Sequence, residues 1–388
     1  VKSFCISEEQ ITRVIGAACA DQVSRQFNRH LDFLTIASWG AETPFGRGGA
    51  KLSEAERAAC ERRAASFFGL DDAHFDARQS ETIGDWAREI FDAISKRLKH
   101  FAFKASARDD IDAAAAHRAD EIFQDAAAAA NAFYGRRRLI SFVSPHSLLG
   151  FVLTVVTPNL QKIETVDARG MAPEALSSTL AYGDVLIATP SLWRYLIREK
   201  LVAPDNTMAV AFGEPMTAEL AADMRKAGFG VMRELYGTTE NGLIGWRDSP
   251  GEAFLLFDHW RREGEDLIRL SPDGAERAAS AMDILDWSDK RSFHLGGRRD
   301  GAVQIGAVNV SPKDVAARLC GHPHIVDCRV RVGRRGDGVN TLIAHIVLDR
   351  DSQPNERTAR EIDAWCRKTL RQQERPRIFH FEPALHED

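Results

Sequence analysis

No stretch of this chain carries the roughly eighteen uninterrupted apolar residues that a membrane-spanning helix needs, so nothing in it reads as a transmembrane segment. The first thirty residues hold acids and amides at short intervals and lack the apolar core of a signal peptide. An excess of one charge is missing as well. The 51 basic residues against 56 acidic ones leave a formal net charge of −5, which gives no electrostatic case for nucleic acid or an anionic membrane as partner. The six cysteines (Cys5, Cys19, Cys60, Cys320, Cys328, Cys366) are scattered, with no pair at metal or disulfide spacing. They read as reduced thiols of a cytoplasmic protein. Internal repeats and long linkers are absent too. What remains is an ordinary globular composition, 44% hydrophobic and 28% charged. At 388 residues it is too long for one ordinary core and suits a large and a small domain.

The first third reads as helical. Ser7-Glu8-Glu9-Gln10 has the form of a capping box, followed by Ile11, Val14, Ile15 and Ala18 at helical spacing. Ser53-Glu54-Ala55-Glu56 repeats the start signal. Trp86, Ile90, Phe91 and Ile94 make the apolar face of a third helix, and an alanine-rich helix is expected from about Ala113 to Phe133. From Arg138 the texture changes to short apolar runs: Leu139–Val143, Val152–Val156, Val185–Ala188 and Met208–Phe212. Buried strands alternating with helices predict an α/β core with a mainly parallel sheet covered on both faces. A small α+β unit follows Arg298, so the expected domains are residues 1–298 and 299–388. In the small unit Val303–Val310 reads as a strand, Ser311-Pro312 opens a helix that Gly321 can close, and Val326–Val332 alternates as a half-buried strand. Thr341–Leu348, a helix near Thr358–Arg371 and an edge strand near Ile378–Phe381 complete it.

The segment richest in chemistry is Leu235-Tyr236-Gly237-Thr238-Thr239-Glu240, expected on a loop at a strand's carboxyl end, where open parallel sheets bind ligands. Gly237 allows close backbone approach. The paired threonines offer hydroxyls to phosphate oxygens, and the carboxylate beside them can hold Mg²⁺. Taken alone, the same residues make an ordinary polar turn. Gly297-Arg298-Arg299-Asp300 lies where the small domain begins. Arginine there can bond ribose or phosphate oxygens, and aspartate beside glycine suits a hinge or a surface turn. Asp283 precedes it and by itself reads as a cap or a solvated charge.

In this order, with Val308-Asn309-Val310-Ser311-Pro312 behind them, these pieces resemble the adenylate-forming superfamily. That group includes acyl- and aryl-CoA synthetases, peptide-synthetase adenylation domains and luciferases. The resemblance runs from about Thr82 onward. Gly213-Glu214-Pro215 looks like its adenine-contacting segment, Ala188-Thr189-Pro190-Ser191-Leu192 like another landmark, and Cys320-Gly321-His322-Pro323 like the end of the first small-domain helix. Short length, with Ser141-Phe142-Val143-Ser144-Pro145-His146, Gly150-Phe151-Val152-Leu153 and Arg299-Asp300-Gly301-Ala302-Val303-Gln304, resembles a compact subgroup. Its members are the 4-coumarate–CoA ligases that supply the chromophore of photoactive yellow protein.

The resemblance implies roles. Tyr236 would stack near adenine, Thr238 and Thr239 would contact the α-phosphate, and Glu240 would hold Mg²⁺. Asp283 and Arg298 would bind ribose, and Asp300 would be the hinge of a mobile small domain. The cofactors implied are ATP, AMP, Mg²⁺ and CoA. The partners implied are a small carboxylic acid, of the aryl type, and the thiol of CoA or a carrier protein.

The sequence also departs from that pattern. Where the family has a glycine- and serine-rich phosphate loop, this chain has Phe103-Lys104-Ala105-Ser106-Ala107-Arg108-Asp109-Asp110-Ile111. Only Ser106 survives. Ala105 and Arg108 stand where glycines let backbone N–H groups cradle phosphates, and Asp109 and Asp110 add negative charge. Ser147 replaces a histidine or aromatic residue. His146 beside it is available as a substitute, and reads also as a hydrogen-bonded histidine at a strand end. Ala307 replaces a glycine, and no Gly-Lys pair carrying the family's adenylating lysine occurs before Ala384-Leu385-His386-Glu387-Asp388. Three readings follow: an AMP-forming acid–CoA ligase; a degenerate homologue that binds AMP or an acyl-adenylate without using ATP and serves as a binding or partner subunit; or a protein that keeps only the second half-reaction, moving an acyl group from a supplied adenylate to a thiol.

Overall fold

The structure, a computed structural model, describes residues 6–71, 80–104, 114–279, 281, 283–305, 308–334 and 340–385. The chain divides into two compact units, Val1–Ala281 with Leu285–His294, and Met282–Ile284 with Leu295–Asp388.

The first unit opens with helices α1 (Glu8–Phe27), α2 (Phe33–Ala37), α3 (Glu54–Phe67) and α4 (Ile83–Arg97). Capping boxes at Ser7/Gln10, Ser53/Glu56 and Thr82/Asp85 start α1, α3 and α4, each satisfying two backbone N–H groups left open by the first turn. Strands β1 (His100–Lys104) and β2 (Ala114–Arg118) pair antiparallel, with Lys104 opposite Ala114. Phe101 and Phe103 anchor the pair. Their rings lie 4.8 Å and 5.8 Å from Phe151, and Phe67 of α3 joins the cluster at 5.1 Å from Phe103.

Helix α5 (Ala119–Ala132) follows β2. The alanine run therefore starts its helix six residues later than its propensity suggests, because pairing with β1 holds 114–118 extended and tertiary context overrides a weak local preference. β3 (Arg138–Ser141) leads to α6 (Leu148–Phe151), a π-helical turn at Val152–Val156 and α7 (Thr157–Gln161). The strand expected at Val152–Val156 is thus helical. A fully buried apolar run has no polar face to reveal its period. Ser147 caps the Gly150 N–H at 3.1 Å, and Thr154 and Thr157 hydroxyls donate to the carbonyls of Gly150 and Val152.

β4 (Glu164–Asp167), α8 (Pro173–Thr179), β5 (Asp184–Ala188), α9 (Pro190–Arg198), β6 (Met208–Phe212), α10 (Ala218–Lys226) and β7 (Val231–Thr238) complete the parallel part, in the order β4-β3-β5-β6-β7. β8 (Gly242–Arg247) turns back antiparallel and pairs with β9 (Phe254–Leu256). β10 (Trp260–Glu263), β11 (Asp266–Leu270) and β12 (Glu276–Ala279) make a separate antiparallel sheet. β13 (Asp283–Trp287) and β14 (Ser292–Arg298) close a nine-stranded sheet among the described residues, β14 pairing antiparallel with β9. The sheet is mixed, its parallel half where βαβ units cover both faces. Trp193, Met224 and Phe229 head the core on the side of α8–α10.

The second unit has its own core of Leu319, Leu342, Ile346 and Ile362. Here β17 (Ile325–Arg334), β18 (Asn340–Leu348) and β19 (Ile378–Phe381) form a sheet, with helices α11 (Pro312–Leu319) and α12 (Glu356–Thr369). The single strand expected over Val303–Val310 is instead two, β15 (Val303–Ile305) and β16 (Val308–Val310), paired antiparallel, since each is too short to bury a face alone.

Candidate active site

Three segments leave the carboxyl ends of neighbouring parallel strands. Ala188 pairs with Ala211 and Phe212 with Leu235, so Thr189-Pro190-Ser191, Gly213-Glu214-Pro215 and Tyr236–Glu240 emerge side by side. Gly213 has φ +86°, a conformation glycine adopts without strain, and it turns the chain off β6. Glu214 accepts the Ser191 hydroxyl at 2.6 Å, and Arg194 lies 3.7 Å away. The sheet register therefore brings the three segments to one edge, and the Ser191–Glu214 bond ties two of them directly.

Tyr236, Gly237 and Thr238 belong to β7 itself, and only Thr239 and Glu240 occupy the turn. The expected loop is a tight hairpin, because β8 pairs back as far as Thr238↔Gly242, with an irregularity between Tyr236 and Gly237. The Tyr236 ring is buried against Phe254 and Phe293, with centroids 5.7 Å and 5.6 Å away. Thr238 Oγ1 accepts from the Asn241 N–H at 3.2 Å. The half-buried Glu240 carboxylate has no hydrogen-bond or ion-pair partner among the described residues, which suits a group kept for a ligand.

Beneath the turn lies a buried charged network that the sequence reading missed. Asp125 of α5 accepts from the Leu243 N–H at 2.9 Å and from Arg269 Nη2 at 2.7 Å, and both side chains are fully enclosed. Arg269 of β11 also donates to the Asn241 carbonyl at 3.0 Å and the Glu121 carbonyl at 2.8 Å. His259 Nε2 lies 3.0 Å from Asp125 Oδ1 and 3.0 Å from the Leu243 carbonyl, which also takes the Trp260 Nε1 proton at 2.7 Å. His117 of β2 reaches the Thr239 carbonyl at 2.7 Å. Burial pushes the Asp125 carboxyl up, but Arg269 and His259 outweigh it and hold it below the usual range. Burial pushes His117 down against the Thr239 carbonyl, so its neutral form is favoured. The available signal was Glu121 and Asp125, two acids four apart on a helix whose apolar face carries Ile122, Ala126 and Ala129.

In the second unit Arg298 binds Asp300 through two hydrogen bonds, 2.9 Å and 2.6 Å, and stands 3.9 Å from Asp283. Arg298 holds the Asp300 carboxyl below the usual range. Ala105, Ser106 and Arg108 of the altered phosphate loop, with Asp109 and Asp110, lie outside the described residues, as does Ala307. The loop's flanks are fixed, since Lys104 and Ala114 are register partners and Lys104 Nζ donates to Gln22 at 2.9 Å. His146 Nδ1 lies 2.7 Å from the Ser144 hydroxyl, and its Nε2 is 3.7 Å from Asp21. Burial pushes it down to about 4. Among the described residues no cluster of His, Cys, Asp and Glu could hold a metal by itself, and no helix is long and apolar enough to cross a membrane.

A large mixed sheet covered by helices, followed by a small α+β unit, is the architecture of adenylate-forming enzymes. No family model matches the chain. Over 300 residues it is 33% identical to a 4-coumarate–CoA ligase of Halorhodospira halophila, covering 76% of this chain and 74% of that protein. A 4-coumarate–CoA ligase of Cereibacter sphaeroides is 26% identical over 283 residues, 70% of this chain and 67% of that one. Among solved structures, an amide bond synthetase of Marinactinospora thermotolerans matches 97% of this chain and 91% of its own with a TM-score of 0.62, at 14% identity. An o-succinylbenzoate–CoA synthetase of Bacillus subtilis matches 71% of this chain and 64% of its own with a TM-score of 0.58, at 16% identity. Those two likenesses speak for the fold. With the first relative, they make the chain a member of the adenylate-forming superfamily, among its AMP-forming acid–CoA ligases.

Proposed function

We propose that the chain activates a cinnamate-like aryl acid as its adenylate and passes the acyl group to the thiol of CoA. The observation that carries this is the convergence of Ser191, Gly213-Glu214 and the Tyr236–Glu240 hairpin on one sheet edge, in a chain 33% identical to a protein named 4-coumarate–CoA ligase. In the first half-reaction a carboxylate oxygen attacks the α-phosphorus of ATP and pyrophosphate leaves. In the second, the CoA thiolate attacks the mixed anhydride and AMP leaves. Tyr236 lies near adenine, Thr238 and Thr239 bond the α-phosphate, Asp283 and Arg298 take the ribose hydroxyls, and Asp300 is the hinge of the small domain. Glu240, whose carboxylate has no partner among the described residues, would hold Mg²⁺, which would neutralise phosphate charge when it arrives with nucleotide. Free thiols at Cys19, Cys60, Cys320, Cys328 and Cys366 agree with a cytoplasmic setting.

A second reading has its own support. Residues 105–113 contain no glycine and include Asp109 and Asp110, a poor cradle for polyphosphate. On that reading the chain keeps the adenylate site without using ATP. Calorimetric titration of AMP and of Mg·ATP, with pyrophosphate exchange driven by 4-coumarate, separates the two. Binding of both nucleotides with acid-dependent exchange supports the ligase. Binding of AMP without Mg·ATP and without exchange supports the degenerate protein.

A further inference from the structure

The Thr239 carbonyl can only accept a hydrogen bond, so the His117 Nε2 that meets it at 2.7 Å carries the proton. His117 lies on β2, opposite Phe101 of β1. One bond therefore joins two hairpins: the one whose connection replaces the phosphate loop, and the one bearing Thr238, Thr239 and Glu240. Around it three further backbone groups, of the turn and of the first residues of β8, are held from below. Asp125 takes the Leu243 N–H, Arg269 the Asn241 carbonyl, and His259 with Trp260 the Leu243 carbonyl. Gly242 completes the fit, since a Cβ there would lie 2.3 Å from Asp125 Oδ2. The Glu240 carboxylate has no hydrogen-bond or ion-pair partner among the described residues.

We propose that His117 is a positioning residue for nucleotide binding. Its Nε2–H sets the Thr239–Glu240 turn against the β1–β2 hairpin, so that the threonine hydroxyls and the Glu240 carboxylate meet the α-phosphate and its metal already oriented. The inference rests on the nucleotide site proposed above. A bond made only for stability would move the melting temperature. A positioning bond moves affinity while the fold holds, because a misplaced turn loses ligand contacts that preorganisation had secured.

The test compares AMP affinity and melting temperature in the wild-type chain, His117→Phe and His117→Gln. Phenylalanine keeps a ring beside Phe103, 5.9 Å away, and removes the donor, whereas glutamine restores an N–H near the Nε2 position. The expected result is AMP binding weakened about ten-fold in His117→Phe, recovery to within about three-fold in His117→Gln, and similar melting temperatures throughout. A folded His117→Phe with wild-type affinity, or a His117→Gln as weak as it, overturns the proposal. Should His117→Phe not fold, His117→Asn, whose shorter amide falls short of the carbonyl, is set against His117→Gln, and equal affinities there overturn it. A wild-type chain that binds no nucleotide fails the proposed function and this inference together. A wild type that binds, with a variant that binds as well, fails the inference alone.

Discussion

At Gly242 the backbone φ is +86°, and an added methyl would meet the Asp125 carboxylate at 2.3 Å. Gly242→Ala therefore combines a left-handed backbone with a clash against an enclosed charge. It is expected to lower stability by about 2 kcal/mol or more in urea denaturation; a loss under about half a kcal/mol would remove the steric account. His146 makes a different prediction. It faces Asp21 and Arg25 of α1, Arg63 of α3 and Arg169 after β4, and burial pushes it down to about 4. Its folded pKa lies below the unfolded one, so the unfolded chain takes up the proton first. Its contribution is present in full above the unfolded pKa and is lost as pH falls towards 4. From pH 7 to 5 the wild type should lose about 2 kcal/mol more than His146→Gln; parallel melting curves would contradict this. In the second unit, Asp283→Ala should weaken AMP binding about ten-fold, as for a lost charged hydrogen bond. Unchanged calorimetric affinity would remove Asp283 from the ribose site.

At the scale of elements, the turn between β7 and β8 owes its geometry to neighbours from three other places in the chain: α5, the β1–β2 hairpin and the β10–β11 sheet. The Asp125–Arg269 pair is the joint, 2.7 Å long and closed to solvent. Removing one partner leaves an uncompensated charge, so Asp125→Asn or Arg269→Met should each cost about 3 kcal/mol or more, while the pair Asp125→Leu with Arg269→Met should cost less than the two losses added. Additive losses in a double-mutant cycle would mean that the two side chains act independently. The same network explains why an acid survives on the inner face of an alanine-rich helix. Its carboxylate does the work of a second hydrogen-bonding strand for Leu243.

At the scale of the whole molecule, each of the two compact units has a core of its own among the described residues, such as that around Trp193 and Phe229 in the first and that around Leu342 and Ile346 in the second. Unfolding should then depart from a single two-state transition. Leu342→Ala, which opens a cavity in the second core, should lower one calorimetric transition and leave the other in place. A single transition shifted as a whole would contradict this. Restoring glycine at positions 105 and 108 tests the loop at the same scale. If polyphosphate binding is what those substitutions removed, the variant should bind Mg·ATP more tightly with AMP affinity unchanged.

By itself the sequence determined the class of fold, the capped helix starts and the segments that the sheet register brings to one edge. Caps such as Ser7, Ser53 and Ser311, strands such as Val185–Ala188, and the order Tyr236–Glu240, Asp283, Arg298–Asp300 are local patterns, readable because their causes lie within a few residues. Val152–Val156 and Ala114–Arg118 depart from their local pattern because burial and strand pairing come from residues beyond their own segment. For the same reason only the tertiary structure could bring Asp125, Arg269, His259 and His117 beneath the turn. Each contact spans more than a hundred residues or joins separate sheets, and no periodicity or spacing encodes which buried charge will meet which backbone group.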